Sequence, residues 1–266
     1  MIKPYYETPL GKLYHGDCLE IIPYLWPIDL VVTSPPYDNL RNYEGYKFDF
    51  KETGKSLFKV LKNNGVCVWV VGDQTNNGSE SGTSFRQALH FMNFGFNLHD
   101  TMIYHKESPP LTHNRYEQHF EYMFVFSKGS VKTFNPILEK KSYVDKRTSK
   151  QVRREKDGSV DMGFASKKTT KIKGNVWKYK VGGGHVTKDK VAYEHPAIFP
   201  EALARDHILS WSNENETVMD IFAGSGTTLK MAENLKRRWI GIEIEEKYCE
   251  IAAKRIELER KQLKLF

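Results

Sequence analysis

The sequence has few cysteines and no long apolar run, and both shortages restrict what the protein can be. Its 266 residues include three cysteines, Cys18, Cys67 and Cys249, which lie far apart and outside any metal-binding spacing. We therefore expect free thiols, with neither a disulfide framework nor a metal site. No run of about 18 apolar residues is present, so we expect no helix that spans a membrane.

The first residues, "MIKPYYETPLGKLYHGD", lack the apolar core of a secretory signal peptide. Secretion is therefore not indicated. Together with the isolated cysteines, this beginning predicts a cytoplasmic protein.

The formal net charge of +7 is unevenly distributed along the chain. Residues 128–190 hold 18 Lys and Arg against 6 Asp and Glu, a net charge of +12, so the remaining residues carry −5. A basic segment on a mildly acidic body is typical of a protein that binds a polyanion. A solvated, lysine-rich loop is the other interpretation of such a charge run.

Apolar runs of strand length alternate with helix-like segments on both sides of the basic stretch. Such alternation predicts an α/β fold, with a mostly parallel sheet covered by helices on both faces. The expected strands are 28–33, 66–73, 96–106, 119–129, 216–222 and 238–244, and the expected helices are 56–65, 84–95, 199–211, 224–236 and 245–262.

Residues from about 130 to 180 interrupt this alternation, because they show no sustained period and few apolar side chains. The pattern predicts a loop-rich insertion at 130–180 between two parts of one domain, residues 1–129 and 181–266.

A double proline follows the first expected strand, in "VVTSPPYDNL" (residues 31–40). Each proline lacks an amide hydrogen and fixes its own backbone angle, so neither can continue a sheet or a helix. The residue before each proline is also held extended. Ser34, Pro35, Pro36 and Tyr37 should thus form a rigid, projecting turn, which by itself could be only a stiff connection.

A glycine turn between a strand and a helix is the more informative motif. The strand ends at Asp220, and Gly224 and Gly226 precede the helix. These glycines let the backbone approach a ligand, and the exposed amides of the helix favour an anionic group. A second strand ends at Glu243, where a carboxylate can accept both hydroxyls of a ribose.

Three ligands compete for this turn. A nucleoside triphosphate is disfavoured, because "AGSGTT" lacks the lysine of a P-loop. A dinucleotide site expects a third glycine where Leu229 stands. S-adenosylmethionine needs only a carboxylate site and a ribose acid. The turn alone does not choose between the last two ligands.

Both ends of the sequence together resemble one family. In this order, "SPPY", "HPAIFP" and "FAGSGTT…GIE" look like the DNA amino-methyltransferases that modify N4 of cytosine or N6 of adenine. The order resembles their β class, a circular permutation of the methyltransferase sheet, and the likeness covers residues 12–128 and 176–254. It implies a Rossmann-like, S-adenosylmethionine-dependent enzyme of the prokaryotic or phage-encoded type.

The resemblance also implies a role for each motif residue in holding S-adenosylmethionine. Asp17 would accept from the adenine amino group, Glu243 would bind the ribose hydroxyls, and Asp220 would hold the glycine turn. The methionine end would lie against Phe222, Ala223, Gly224, Ser225, Gly226 and Thr227, with His195 and Ala197 on the other side. A helix cap at Asp17 and a structural histidine at 195 are the other interpretations.

The Ser-Pro-Pro-Tyr turn would then carry the chemistry. An exocyclic amine is a poor nucleophile, because its lone pair is delocalised into the ring. The Ser34 side chain and the Pro35 carbonyl could accept its hydrogens, Pro36 would keep the turn rigid, and Tyr37 would stack on the flipped base. Direct displacement at the methyl group needs no covalent enzyme intermediate.

The residue before the two prolines bears on the target base. Adenine enzymes of the resembling family mostly carry Asp where this chain has Ser34, and cytosine-N4 enzymes mostly carry Ser. We therefore favour N4 of cytosine, with N6 of adenine as the alternative.

Double-stranded DNA is the expected partner, and the basic insertion lies where the resembling class carries its target-recognition region. The candidate DNA contacts are Arg41, Lys146, Arg147, Lys150, Arg153 and Arg154. A homodimer and a cognate restriction endonuclease stay open as further partners. Dimerisation is common in the resembling class, although the sequence shows no interface signature, and the sequence does not say whether an endonuclease accompanies the enzyme.

Three other functions remain open at this level. A DNA-binding module without catalysis would be expected to have degraded motifs, and both are intact here. An RNA or protein methyltransferase of similar fold is the second, and a dinucleotide oxidoreductase, which Leu229 disfavours, is the third.

Overall fold

The structure, a computed structural model, describes residues 2–36, 48–107, 116–143, 150–164, 168–182, 184–198 and 200–263. Tyr37, Arg41, Lys146 and Arg147 therefore lie outside the described residues. The helices are α1 (Cys18–Ile21), α2 (Phe50–Val60), α3 (Thr83–Phe94), α4 (Glu201–Trp211), α5 (Thr227–Asn234) and α6 (Glu246–Leu263), with 3-10 turns at Ile22–Tyr24 and Lys190–Glu194.

Nine strands form one large sheet. In spatial order they are β1 (Tyr6–Glu7), β2 (Gly11–His15), β15 (Arg238–Glu243), β14 (Thr217–Asp220), β3 (Ile28–Thr33), β4 (Leu61–Val71), β8 (Phe120–Ser127), β7 (Asn97–Glu107) and β13 (Val176–Lys180). The strands from β2 to β4 run parallel, and β8 is antiparallel to both of its neighbours. A two-residue hairpin, β5 (Thr75–Asn76) with β6 (Ser79–Glu80), follows β4. The predicted mostly parallel α/β sheet is confirmed.

Helices cover both faces of this sheet. On one face, α1, α2 and α3 pack into a core that includes Leu57, Phe91 and the strand residues Trp69 and Ile240. Gly241, next to Ile240 in β15, faces the other way because successive side chains of a strand alternate. A Cβ atom at Gly241 would lie 2.3 Å from Leu229 of α5, so α5 lies on the opposite face.

The second helix differs from its prediction. It was expected at 56–65 and lies at Phe50–Val60, because Asp49 caps its first turn by accepting from Lys51 N and Glu52 N. The backbone then becomes extended at Leu61, which pairs with Ile28 across the sheet. The strand that pairs with Leu61 is distant in the sequence, so the local sequence does not show this boundary.

The insertion is smaller and more regular than predicted. Residues 136–174 form a separate compact unit, whereas the strand at 176–180, predicted to be part of the insertion, belongs to the large sheet. The unit contains two antiparallel pairs, β10 (Lys150–Arg154) with β11 (Val160–Phe164) and β9 (Leu138–Lys140) with β12 (Thr170–Ile172). The hairpin of β10 and β11 turns at Gly158, whose φ of 85° favours glycine.

We expect Gly11→Ala to destabilise the larger unit. An alanine Cβ at this position in β2 would lie 2.1 Å from Cδ2 of Trp239, and that ring is fixed because its Nε1 donates to Glu233 at 2.6 Å. Overpacking of this kind costs about 1–3 kcal/mol. Urea unfolding gives the change in free energy. Gly174→Ala, where a Cβ meets open space, should change it little, and equal losses from both variants would contradict the packing argument.

Candidate active site

The carboxyl ends of two central strands are joined directly. Thr33, the last residue of β3, donates its hydroxyl to Asp220 Oδ1 at the end of β14 over 2.7 Å, and both side chains are buried. Thr228 of α5 also donates to the carbonyl of Val32, at 3.2 Å. The proline turn after β3 and the glycine turn after β14 therefore leave the sheet side by side.

A cavity of about 500 Å³ opens where these turns leave the sheet. All of its walls belong to the larger unit. It is lined by Gly16, Asp17, Cys18, Ser34, Pro35, Pro36, Tyr104, Lys106, Glu121, Val181, His195, Pro196, Ala197, Ile198, Ile221, Phe222, Ala223, Gly224, Ser225, Thr227, Glu243 and Ile244. Three sequence motifs that are far apart in the chain thus meet at one cavity.

The glycine turn leaves no room for side chains. Gly224 and Gly226 have φ values of 50° and 77°, in the region that favours glycine. A Cβ at Gly224 would lie 2.9 Å from His195 Nε2, and one at Gly226 would lie 2.7 Å from the Cβ of Ala252. The backbone of the turn can therefore approach a ligand closely on the side of the cavity.

Glu243 ends β15 and connects the second strand to the glycine turn. Its Oε2 accepts from Gly224 N at 2.6 Å, and its Oε1 accepts from Glu245 N at 3.0 Å. Burial raises the pKa of the Glu243 carboxyl, and the backbone hydrogen bonds oppose that shift. The carboxylate keeps acceptor capacity toward the cavity, because each oxygen has a second lone pair.

Asp220 lies beneath the glycine turn. Its Oδ1 accepts from Thr33 and also from Phe222 N at 3.1 Å, so it fixes the first residues of the turn. Burial raises the pKa of the Asp220 carboxyl to about 6, against the hydrogen bonds that favour the charged form. The role of Asp220 in the cofactor site stays a prediction.

Asp17 and His195 lie on other walls of the cavity. Asp17 caps α1, since its Oδ1 accepts from Leu19 N at 2.8 Å, and it also lines the cavity. His195 Nδ1 accepts from Ala197 N at 3.0 Å, which leaves the ring proton of a neutral imidazole on Nε2. The His195 ring contacts Tyr248 edge-on, with centroids 4.2 Å apart. Each side chain thus has a structural role at a position facing the cavity.

Comparisons with known proteins identify the family. The N6/N4 methyltransferase family, described as DNA methylase, matches residues 28–254 of this chain. The chain belongs to this family. It is a DNA methyltransferase of the N6/N4 class, and the resemblance drawn from the motifs is confirmed.

Individual relatives of this DNA methylase match it over nearly its whole length. The orphan methyltransferase M.BamHII of Bacillus amyloliquefaciens is 52% identical over 246 residues, which cover 91% of this chain and 90% of that protein. The cytosine-N4-specific PvuII DNA methyltransferase superposes with a TM-score of 0.70 at 23% identity, covering 96% and 89%. The M1.HpyAVI–SAM complex gives 0.62 at 23%, covering 92% and 98%. At such identities, the two structures establish a shared fold.

The cavity of this methylase fits the methyl donor of its family, S-adenosylmethionine. Its volume lies within the range of small-molecule sites, about 300–1,000 Å³. Gly224 lines the cavity without a side chain, which its contact with the His195 ring would not allow, and Glu243 provides a carboxylate for hydroxyl groups. In the described part of the chain, no three His, Cys, Asp or Glu side chains are arranged to hold a metal ion.

One wall of the cavity was missed by the sequence analysis. Tyr104 and Lys106 of β7 and Glu121 of β8 line it, and Lys106 forms an ion pair with Glu121. Burial raises the pKa of the Tyr104 hydroxyl. In the sequence, β7 and β8 looked like ordinary strands. Their antiparallel pairing brings Tyr104, Lys106 and Glu121 together in the cavity that the proline turn also lines.

Two remaining expectations concern thiols and membranes. Cys18, Cys67 and Cys249 are all buried and free of disulfides. Among the described residues, no helix combines the length and the apolar character that crossing a membrane would need.

We expect Asp220→Asn to remove one pH dependence of stability. The folded-state pKa of the Asp220 carboxyl, about 6, exceeds the reference value of 3.8. Its contribution to the free energy of unfolding is therefore full below pH 3.8 and is lost as the pH rises through about 6. Relative to the variant, the wild type should lose about 2 kcal/mol of unfolding free energy between roughly pH 4 and pH 7.5.

Urea unfolding of both proteins across this range gives the difference, in which the other carboxylates cancel. Asp157→Asn is the control, because hydrogen bonds from Ser159 lower the pKa of Asp157. Because this carboxyl titrates mainly below about pH 4, the difference between Asp157→Asn and the wild type should vary little across the range. If the difference between Asp220→Asn and the wild type does not vary with pH, the pKa of the Asp220 carboxyl is not raised by burial.

Proposed function

We propose that this DNA methyltransferase transfers a methyl group from S-adenosylmethionine to N4 of a cytosine flipped out of duplex DNA. The observation that carries the proposal is that Ser34, Pro35 and Pro36 line the same cavity as Gly224. A turn that can activate an amine and a turn that can hold the methyl donor thus share one space.

The proline turn suits the activation of an exocyclic amine. The Ser34 side chain and the Pro35 carbonyl accept the amine hydrogens, which concentrates charge on the nitrogen and directs its lone pair. Pro36 cannot donate to a sheet and keeps the turn from relaxing. Tyr37, outside the described residues, would offer a ring on which the base stacks.

Bound S-adenosylmethionine supplies an electrophilic methyl group on a sulfonium. The chain then has to hold the amine in line with that group, and positioning of this kind can supply a large part of a rate enhancement. The nitrogen forms its bond to the methyl carbon as the carbon–sulfur bond breaks, and the amine loses one proton to solvent or to its acceptors. No nucleophilic side chain is required.

The cofactor contacts follow the geometry of the cavity. Glu243 accepts from the ribose hydroxyls, and Asp17 accepts from the adenine amino group with the oxygen that the α1 cap leaves available. The backbone of the glycine turn receives the methionine end, and Asp220 keeps that turn in place. His195 and Ala197 complete the lining of the site beside the glycine turn.

Cytosine is preferred over adenine because of Ser34. Adenine enzymes of the family mostly carry Asp at this position, and a neutral hydroxyl suits the cytosine enzymes. The solved PvuII methyltransferase, which shares the fold, is cytosine-N4-specific. This likeness supports the proposal, and N6 of adenine is the alternative product.

We expect the wild-type enzyme to produce N4-methylcytosine. Duplex DNA is incubated with labelled S-adenosylmethionine, digested to nucleosides and analysed by mass spectrometry. Ser34→Ala should lower kcat by roughly 10²-fold, because one acceptor of the amine is lost, and should leave cofactor affinity unchanged. Ser79→Ala, at an exposed hairpin serine, should change neither. N6-methyladenine as the product would overturn the choice of base.

The compact unit at residues 136–174 would supply contacts to DNA phosphates. Arg154, in the hairpin of β10 and β11, and Lys156, in its turn, are exposed. Lys150 and Arg153 lie in the same strand as Arg154. A two-stranded ribbon of this kind can enter the major groove, where Arg side chains read guanine edges.

We expect the double variant Arg154→Glu/Lys156→Glu to weaken DNA binding without affecting cofactor binding. Each lost phosphate contact should lower the slope of log K against log salt by about 0.9. Fluorescence anisotropy with duplex DNA measures binding, and calorimetry measures cofactor affinity. Lys236→Glu/Lys261→Glu, at exposed lysines of the larger unit, controls for net charge. Equal loss of DNA and cofactor binding would refute this division of labour.

A further inference from the structure

Arg255 is a fully buried cation on the C-terminal helix α6, and it binds the glycine turn. Its Nη1 donates to the carbonyl of Ser225 at 2.6 Å, to the Ser225 hydroxyl at 3.0 Å and to Thr227 Oγ1 at 3.1 Å. These contacts reach the turn from the side of α6. The guanidinium therefore fixes the carbonyl of a residue that lines the cavity.

The other edge of the same guanidinium binds the segment that leads to His195. Its Nε donates to Asp189 Oδ2 at 3.0 Å, and its Nη2 donates to Glu201 Oε1 at 2.7 Å. Asp189 lies six residues before His195, and Glu201 is the first residue of α4. Arg255 thus joins the glycine turn to the segment that leads to His195, which packs against Gly224 at the cavity.

A second cation reinforces this connection. Lys230 of α5 donates to Asp189 at 2.8 Å and to Glu201 at 2.9 Å, and it lies 3.4 Å from Glu259 of α6. The two cations share two carboxylates, so a change at Arg255 alters the geometry of the whole cluster.

The planar fork of arginine is what this position requires. A buried cation is costly unless each of its donors has a partner, and a buried ion pair by itself is weak evidence for stability. Arg255 satisfies the turn and the acids at the same time with donors in fixed directions. Lysine offers a single point charge, which cannot reach both sets of partners in this geometry.

We propose that Arg255 is a positioning residue for the methyl donor. It holds the Ser225 carbonyl and the Asp189 segment in register, so that the glycine turn and His195, which packs against it, keep the positions at which they line the cofactor cavity. The inference rests on the proposed function in one respect, that the cavity binds S-adenosylmethionine. It does not depend on which base is methylated.

The test is Arg255→Lys, which keeps the charge and removes the fork. The dissociation constant for S-adenosylmethionine, measured by calorimetry without DNA, should rise about tenfold, and KM for the cofactor should rise with it. At saturating cofactor, kcat should stay within about twofold of the wild type. A purely structural role would instead lower kcat with the folded fraction and leave the dissociation constant unchanged.

Arg260→Lys is the matched control. Arg260 lies on the same helix and pairs with Glu233 at 3.2 Å and Glu257 at 3.3 Å, outside the cofactor cavity. The Arg260→Lys protein should bind S-adenosylmethionine with the same affinity as the wild type. Wild-type cofactor affinity in a folded Arg255→Lys protein would overturn the proposal.

If Arg255→Lys does not fold, Asp189→Asn tests the same proposal. It preserves the shape of the side chain and the contacts of Arg255 to Ser225, and it loosens the connection to the His195 wall. The dissociation constant should rise at least threefold, and an unchanged value would overturn the proposal. Methylation of adenine by the wild type would overturn the choice of base and leave this inference standing.

Discussion

The hydrogen bond from Thr33 to Asp220 joins two residues that are 187 positions apart in the sequence, and the active cavity depends on it. Because β3 and β14 are parallel neighbours, their carboxyl ends emerge at the same edge of the sheet. The bond fixes the register of these ends. The turn that can activate an amine and the turn that can hold a methyl donor are consequently neighbours in space.

The glycine turn is held from two directions by charges of opposite sign. Asp220 binds it from beneath, at the end of the strand, and Arg255 binds it from the side of α6. Gly224 and Gly226 permit backbone angles that other residues resist, so the turn has little rigidity of its own. The fixed partners around it supply that rigidity, and this explains why two buried ionisable groups are kept near a small-molecule site.

The sequence predicted those parts of the fold that depend on local pattern. Strands such as β3 and β14 are short apolar runs, and the turns that follow them carry prolines or glycines with few conformational options. The boundary between α2 and β4 was misplaced, because Leu61 leaves the helix to pair with Ile28 in another part of the chain. Tertiary pairing overrode the local preference there.

The same reason accounts for what was missed in the insertion and at the site. The strands β10 and β11 pair through backbone hydrogen bonds, and each is only five residues long within a lysine-rich and arginine-rich segment, so the short apolar alternation of β11 was not recognised as a strand. Lys106 and Arg255 looked like ordinary charged residues of a strand and a helix. Only the contacts with Glu121 and Ser225 distinguish them, and those contacts exist after folding.

Two of the buried thiols, Cys67 and Cys249, do not line the cavity and are also unreactive. Burial raises the pKa of Cys249 to about 12 and that of Cys67 still further above its ordinary value, so both stay protonated at neutral pH. A thiol is a poor nucleophile, because the thiolate is the reactive form. The electrophile comes with the cofactor, and the amine of the base is the nucleophile. What remains for the chain is to bring the two atoms together and hold them in line, and the contacts of Asp220 and Arg255 to the glycine turn serve that task.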